Sequence, residues 1–135
     1  MFDLLIALCL YNEIACRQQQ IINYAVLSAK THNIDSNKFL MLISCESRFD
    51  EKEDGDYRSE TGEYMANGLL QFWESTWINY AKLFKIKKSY WELDPFAQID
   101  LAVMIIRYDK TKGIKNWGNC GLASGLIENK NITKK

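Results

Sequence analysis

Residues 50–68, DEKEDGDYRSETGEYMANG, constrain the fold of this 135-residue chain more than any other stretch, because they interrupt an otherwise helical pattern. The interruption is polar and carries three glycines. A structureless segment that long is uncommon in a compact domain unless it is functional, so a functional loop or a small hairpin is expected. Before it, Ile21, Ile22, Ala25, Leu27 and Ala29 recur at helix-like spacings. Asp35 or Ser36 can cap a further helix running to about Glu46. On that helix Phe39, Leu42, Ile43 and Glu46 fall at i, i+3, i+4 and i+7, which is one face. After the interruption, Ser75 is placed to cap a helix to about Phe84, with Trp77, Tyr80, Ala81 and Phe84 on one side. The one proline follows Asp94, a capping residue, and Pro95 fits the first helical position, where its missing N–H costs nothing. Phe96, Ile99, Val103 and Ile106 then form a buried stripe. Gly113 is expected to stop that helix or the turn after it. NWGNCGL, residues 116–122, closes the ordered domain.

These elements predict one mainly α domain, and a 47% hydrophobic composition suffices for its core. The expected division is N-terminal helices over 1–35, a core over 36–122 and a flexible basic tail over 123–135, ending in Lys130 to Lys135. Seventeen basic side chains balance seventeen acidic ones, so charge gives no case for nucleic acid or an anionic surface. No apolar run approaches a membrane span of about 18 residues. The apolar segment from Leu4 to Leu10 makes a poor signal peptide: Asp3 stands where a basic residue belongs. Ile14-Ala15-Cys16 echoes a lipoprotein cleavage site but follows Glu13. Residues 3–17 are read as a terminal helix packing on the domain, with a degenerate export signal as the alternative. His32 lies between two helices without a partner motif and reads as a surface or capping residue. No metal-ligand spacing occurs, and no cofactor is expected.

Five blocks stand in order: CES (45–47), NGLLQF (67–72), STW (75–77), DPFAQIDLA (94–102) and NWGNCG (116–121). Together they resemble the lysozyme-like superfamily of peptidoglycan-cleaving enzymes, nearest to the soluble lytic transglycosylases and the resuscitation-promoting factors. The resemblance covers roughly residues 36–121. It implies a lysozyme-like fold, a helical bundle with a polar loop or small β-hairpin beside a saccharide groove. It makes Glu46 the catalytic acid/base and Ser47 the serine that follows it. Gly68, Leu69 and Gln71 correspond to a segment lining the groove, and Thr76 and Trp77 to the pair that starts the next helix. Cys45 and Cys120 correspond to a cysteine pair of the resuscitation-promoting factors. The long transglycosylases carry a late Ala-Tyr-Asn motif, for which this chain offers only Asn116-Trp117-Gly118-Asn119; that departure favours the smaller relatives.

The chemistry suits Glu46. Cleaving a glycosidic bond requires an acid that keeps its proton near neutral pH, above the value of about 4.3 for a free glutamic acid. Glu46 shares a face with Phe39 and Ile43, which desolvates it, and it lies at a helix C-terminus, whose dipole disfavours a carboxylate. Hydrolases of this kind pair the acid with a second carboxylate. Among the acidic residues of 50–63, Asp56 after Gly55 is the best candidate. A lytic transglycosylase needs none, because the sugar's own 6-hydroxyl attacks the anomeric carbon. Sugar faces stack on aromatic rings and amides bind acetamido groups, which makes Asn67, Gln71, Trp77, Tyr80 and Trp117 candidate groove residues, with Tyr64 behind them. For Trp77, a place in the core under the groove is the competing reading.

The expected substrate is therefore the peptidoglycan glycan strand, cleaved at the β-1,4 bond between N-acetylmuramic acid and N-acetylglucosamine. The preferred activity is a lytic transglycosylase; the alternatives are a hydrolase using a loop aspartate and a non-catalytic glycan-binding or virion-structural protein. A Cys45–Cys120 bridge would close a loop of about 75 residues and imply an oxidising compartment or a virion; two buried thiols are the alternative. A larger secretion, conjugation or virion assembly is the expected delivery partner. Cys9 and Cys16, on one regular helix, would stand about 10 Å apart, too far to bridge.

Overall fold

A computed structural model of the chain describes residues 2–90 and 94–128; the basic run Lys130 to Lys135 lies outside them. The described chain is mainly helical, with six α-helices and a small antiparallel sheet. The helices are α1 (Phe2–Tyr11), α2 (Glu13–Thr31), α3 (Ser36–Ser47), α4 (Glu74–Leu83), α5 (Pro95–Tyr108) and α6 (Gly118–Ser124). A 3-10 helix, Gly113–Trp117, precedes α6. The strands β1 (Asp54–Arg58), β2 (Glu63–Asn67) and β3 (Phe72–Trp73) lie in that order. No helix among the described residues is long and apolar enough to cross a membrane.

The expected single helix over residues 3–17 is instead two. Asn12 leaves the helical region at φ −152° and ψ 99°, and its side chain accepts the Ala15 N–H at 3.1 Å, capping α2. Helix α1 then folds back onto α2. That fold-back corrects the expectation for Cys9 and Cys16, which are disulfide-bonded with Cα atoms 4.6 Å apart. The 10 Å separation holds only for one unbroken helix, and a capping asparagine ends it between them.

Helix α2 buries Ile21, Ala25 and Ala29 completely, whereas Leu27 is 63% exposed on the outer side. Asp35, rather than Ser36, caps α3 by accepting the Lys38 N–H at 3.0 Å. Phe39, Leu42 and Ile43 form the buried face of α3. Each such side chain contributes about 1.5–3 kcal/mol of transfer free energy. Asp94 caps α5 through the Ala97 N–H at 2.7 Å, with Pro95 in the first turn. The buried surface of α5 is wider than the expected stripe. Ile99, Leu101, Ala102, Val103 and Ile105 are all inaccessible, while Phe96 and Ile106 are only partly covered. A helix buried over that much of its girth is central, and α5 packs against α2, α4 and the 3-10 helix.

Helix α4 begins one residue before Ser75 and is capped by the backbone of Trp73 without a side-chain hydrogen bond, so Ser75 lies inside its first turn. Helix α5 ends at Tyr108, before Gly113, which instead opens the 3-10 helix at φ 44°. The interruption at 50–68 contains a hairpin with register Asp54↔Asn67, Gly55↔Ala66, Tyr57↔Tyr64 and Arg58↔Glu63. Its third strand pairs Ala66↔Trp73 and Asn67↔Phe72. Under this sheet the rings of Trp77 and Trp117 meet Phe72 edge-on, at 5.6 and 5.8 Å between centroids.

Candidate functional site

Glu46 occupies the last turn of α3, one turn beyond the buried Leu42 and Ile43 and two beyond Phe39. The chain then leaves the helix through two residues in the left-handed region, Arg48 at φ 53° and Phe49 at φ 61°. Glu46 is half-buried, and this desolvation pushes its carboxyl up from 4.5 to about 7, with the negative charge of Asp56 adding to the rise. Among the described residues no lysine or arginine opposes the shift, and the ion pairs are Arg17–Glu51 at 2.9 Å and Lys88–Asp94 at 2.8 Å. The helix C-terminus acts in the same direction as burial. The result is a carboxyl poised to give and take a proton near neutral pH.

Asp56 comes to Glu46 from the hairpin. It is exposed, sits in β1 at φ 52°, and its Oδ2 accepts the indole N–H of Trp73 at 2.9 Å. The Arg58 guanidinium lies over the same indole, 5.1 Å from the ring centroid.

The other residues expected in a groove divide sharply. Trp77 is 1% exposed and donates its indole N–H to the Lys88 carbonyl at 3.1 Å. Trp117 is 7% exposed and donates to the Leu70 carbonyl at 2.9 Å. Neither ring has an open face for a sugar, because both fill the space under the sheet. Leu69 is inaccessible, and buried Ser47 turns its hydroxyl back to the Ile43 carbonyl at 3.3 Å. Gln71 sits at φ 53° and spends its amide N–H groups on the Glu53 and Gly68 carbonyls, at 3.0 and 2.8 Å. Tyr80 donates to Asp109 at 2.5 Å and accepts from Asn116 at 2.8 Å, and burial and the Asp109 bond raise its pKa. Asn67 is half-buried, donates to Tyr90 at 2.7 Å, and with Tyr64, Trp73 and Glu74 lines a cavity of about 640 Å³. Asn67 and Gly68 also line a recess of about 210 Å³. A third, of about 170 Å³, is lined by Gln71, Trp73, Thr76, Lys112, Asn116 and Trp117. None of these three linings includes Glu46. Trp73 lines two of them and holds Asp56. His32 caps the C-terminus of α2, its Nδ1 2.9 Å from the Ser28 carbonyl.

Two residues that place the site carry weak sequence signals. Gln98 is 3% exposed; its Oε1 accepts the buried Leu70 N–H at 2.8 Å and its Nε2 donates to the Asn67 carbonyl at 3.4 Å. A glutamine beside the apolar stripe of α5 is the one hint of it. Trp73 follows NGLLQF, with nothing in the sequence to connect it to Asp56. Gly68 sits at φ +83°, and an added Cβ would run into Gln98 Nε2. Gly68→Ala is therefore expected to cost about 1–3 kcal/mol, read as a lowered urea midpoint at unchanged slope.

The bridge Cys45–Cys120, with Cα atoms 5.6 Å apart, ties the residue preceding Glu46 to α6. In comparisons with known proteins, no family model, no curated protein and no solved structure matches this chain.

Proposed function

We propose that this protein cleaves the β-1,4 bond between N-acetylmuramic acid and N-acetylglucosamine in peptidoglycan, with Glu46 as general acid/base. The observation that carries the reading is a half-buried glutamate with no cationic partner among the described residues, its carboxyl raised to about 7. The resemblance of the five sequence blocks to the lysozyme-like superfamily supplies the substrate class. In the first step Glu46 protonates the glycosidic oxygen, and the bond to the anomeric carbon breaks. As a lytic transglycosylase, the enzyme then lets the muramic 6-hydroxyl oxygen bond to that carbon while the Glu46 carboxylate takes the hydroxyl proton. The product is a 1,6-anhydro end, and Glu46 is restored.

One observation favours a second reading, a hydrolase. Asp56 lies within electrostatic reach of Glu46, which supplies the second carboxylate that acid-assisted hydrolysis uses. Two disulfides fit an extracytoplasmic or virion-associated setting, and delivery by a larger assembly goes with it. Digestion of purified sacculi followed by mass spectrometry separates the readings. Anhydro ends are expected for the transglycosylase and reducing ends for the hydrolase. Sacculi left intact by the wild-type protein would refute both and leave a non-catalytic glycan-binding or virion-structural protein.

A further inference from the structure

We infer that Trp73 is a positioning residue, whose indole N–H fixes the Asp56 carboxylate within reach of Glu46. The inference rests on Glu46 being the acid proposed above. Asp56 is an exposed side chain on a strand, and left to itself such a carboxylate samples several rotamers in water. Here one bond of 2.9 Å selects a single position. An indole N–H is a donor only, and here it pairs with a carboxylate oxygen that accepts.

Trp73 is itself held twice. Its backbone pairs with Ala66 in the sheet, and its ring lies under the Arg58 guanidinium. Strands β1 and β3 are not neighbours, so the indole reaches across β2 to bring the Asp56 charge to a fixed place. Among the described residues Asp56 is the charge that acts on Glu46, and the Arg58 guanidinium lies over the indole that holds Asp56. A plain sheet clamp would give the same hydrogen bond but would have no bearing on how Glu46 titrates.

The test follows Glu46 by carboxyl carbon NMR and the Trp73 indole by its N–H resonance, both across pH. In the wild type the indole resonance is expected to move as Asp56 ionises. Trp73→Phe keeps an aromatic ring for Arg58 and deletes the donor. It is expected to lower the Glu46 midpoint in the direction given by Asp56→Asn, by at least about 0.5 pH unit, a threefold change in the ionisation constant. Adding Trp73→Phe to Asp56→Asn is expected to move it no further. An indole resonance indifferent to pH in the wild type, or a Glu46 midpoint untouched by Trp73→Phe while Asp56→Asn lowers it, would overturn the inference. Should the titrations behave as expected while sacculi stay intact, the placement of Asp56 by Trp73 stands and only the functional reading falls.

Discussion

Glu46→Gln is expected to abolish cleavage of sacculi and, above pH 7, to make the folded protein more stable. The loss of activity follows from removing the proton donor, a contribution of about 10²–10⁴-fold in rate. The gain in stability follows from the same environment. The unfolded chain ionises this side chain near its ordinary 4.5, the folded one near 7, so the native state holds the proton more tightly. Below pH 4.5 both states are protonated and the group is neutral to folding. Between 4.5 and 7 stability falls as pH rises, and above 7 the full cost is present. Because Glu46 is only half-buried and solvent screens part of the effect, moving the midpoint that far corresponds to about 1–2 kcal/mol. Glutamine carries no charge to bury, so the variant escapes that cost. Urea unfolding of both proteins at pH 4 and pH 8 checks it: nearly equal stability at the acid end, and a variant more stable by about 1–2 kcal/mol at the alkaline end. Equal stability at both ends would mean that Glu46 ionises like a solvated carboxylate, and the case for it as a general acid would fail. Activity of the wild type is expected to decline as pH rises through about 7, when the acid loses its proton.

Replacing Cys45 and Cys120 with serine is expected to lower stability by about 4 kcal/mol in the chain-entropy model, a fall in Tm of about 15 °C. The bridge closes a loop spanning 75 positions, which includes α4, α5 and the whole sheet. The corresponding change at Cys9 and Cys16, seven positions apart at the edge of the fold, should cost about half as much. Melting curves of the two double variants, with and without reductant, give the comparison. Because Cys45 adjoins Glu46, loss of the first bridge should also broaden the Glu46 resonance as the end of α3 loosens. Equal Tm losses for the two pairs would show that loop length does not govern their effect here.

Much of the helical frame was legible from residues alone. Asp35 and Asp94 announced their helices because a capping carboxylate acts within three residues of its partner. Phe39, Leu42 and Ile43 announced the buried face of α3 because helical periodicity is local. The same periodicity misjudged Leu27, which lies off the strip that α3 and α5 cover. Apolar residues continue on both sides of Asn12, so the apolar pattern does not mark the helix break there although its side chain is a capping type. Composition marked Trp77, Trp117 and Gln71 as sugar-binding types, yet each satisfies its own N–H groups within the protein.

The sequence by itself determined the mainly helical class, the extent of α3, the start of α5, and an acidic side chain stranded at the close of an apolar helix. Only the tertiary structure decided which carboxylate comes within reach of Glu46, which cysteines meet at the N-terminus, and which tryptophans face inward. Caps and periodic faces depend on neighbours a few residues away, and the chain carries their pattern openly. The placement of Asp56 by Trp73 within electrostatic reach of Glu46 depends on strand register and on the turn at Gly68, and no local spacing encodes that.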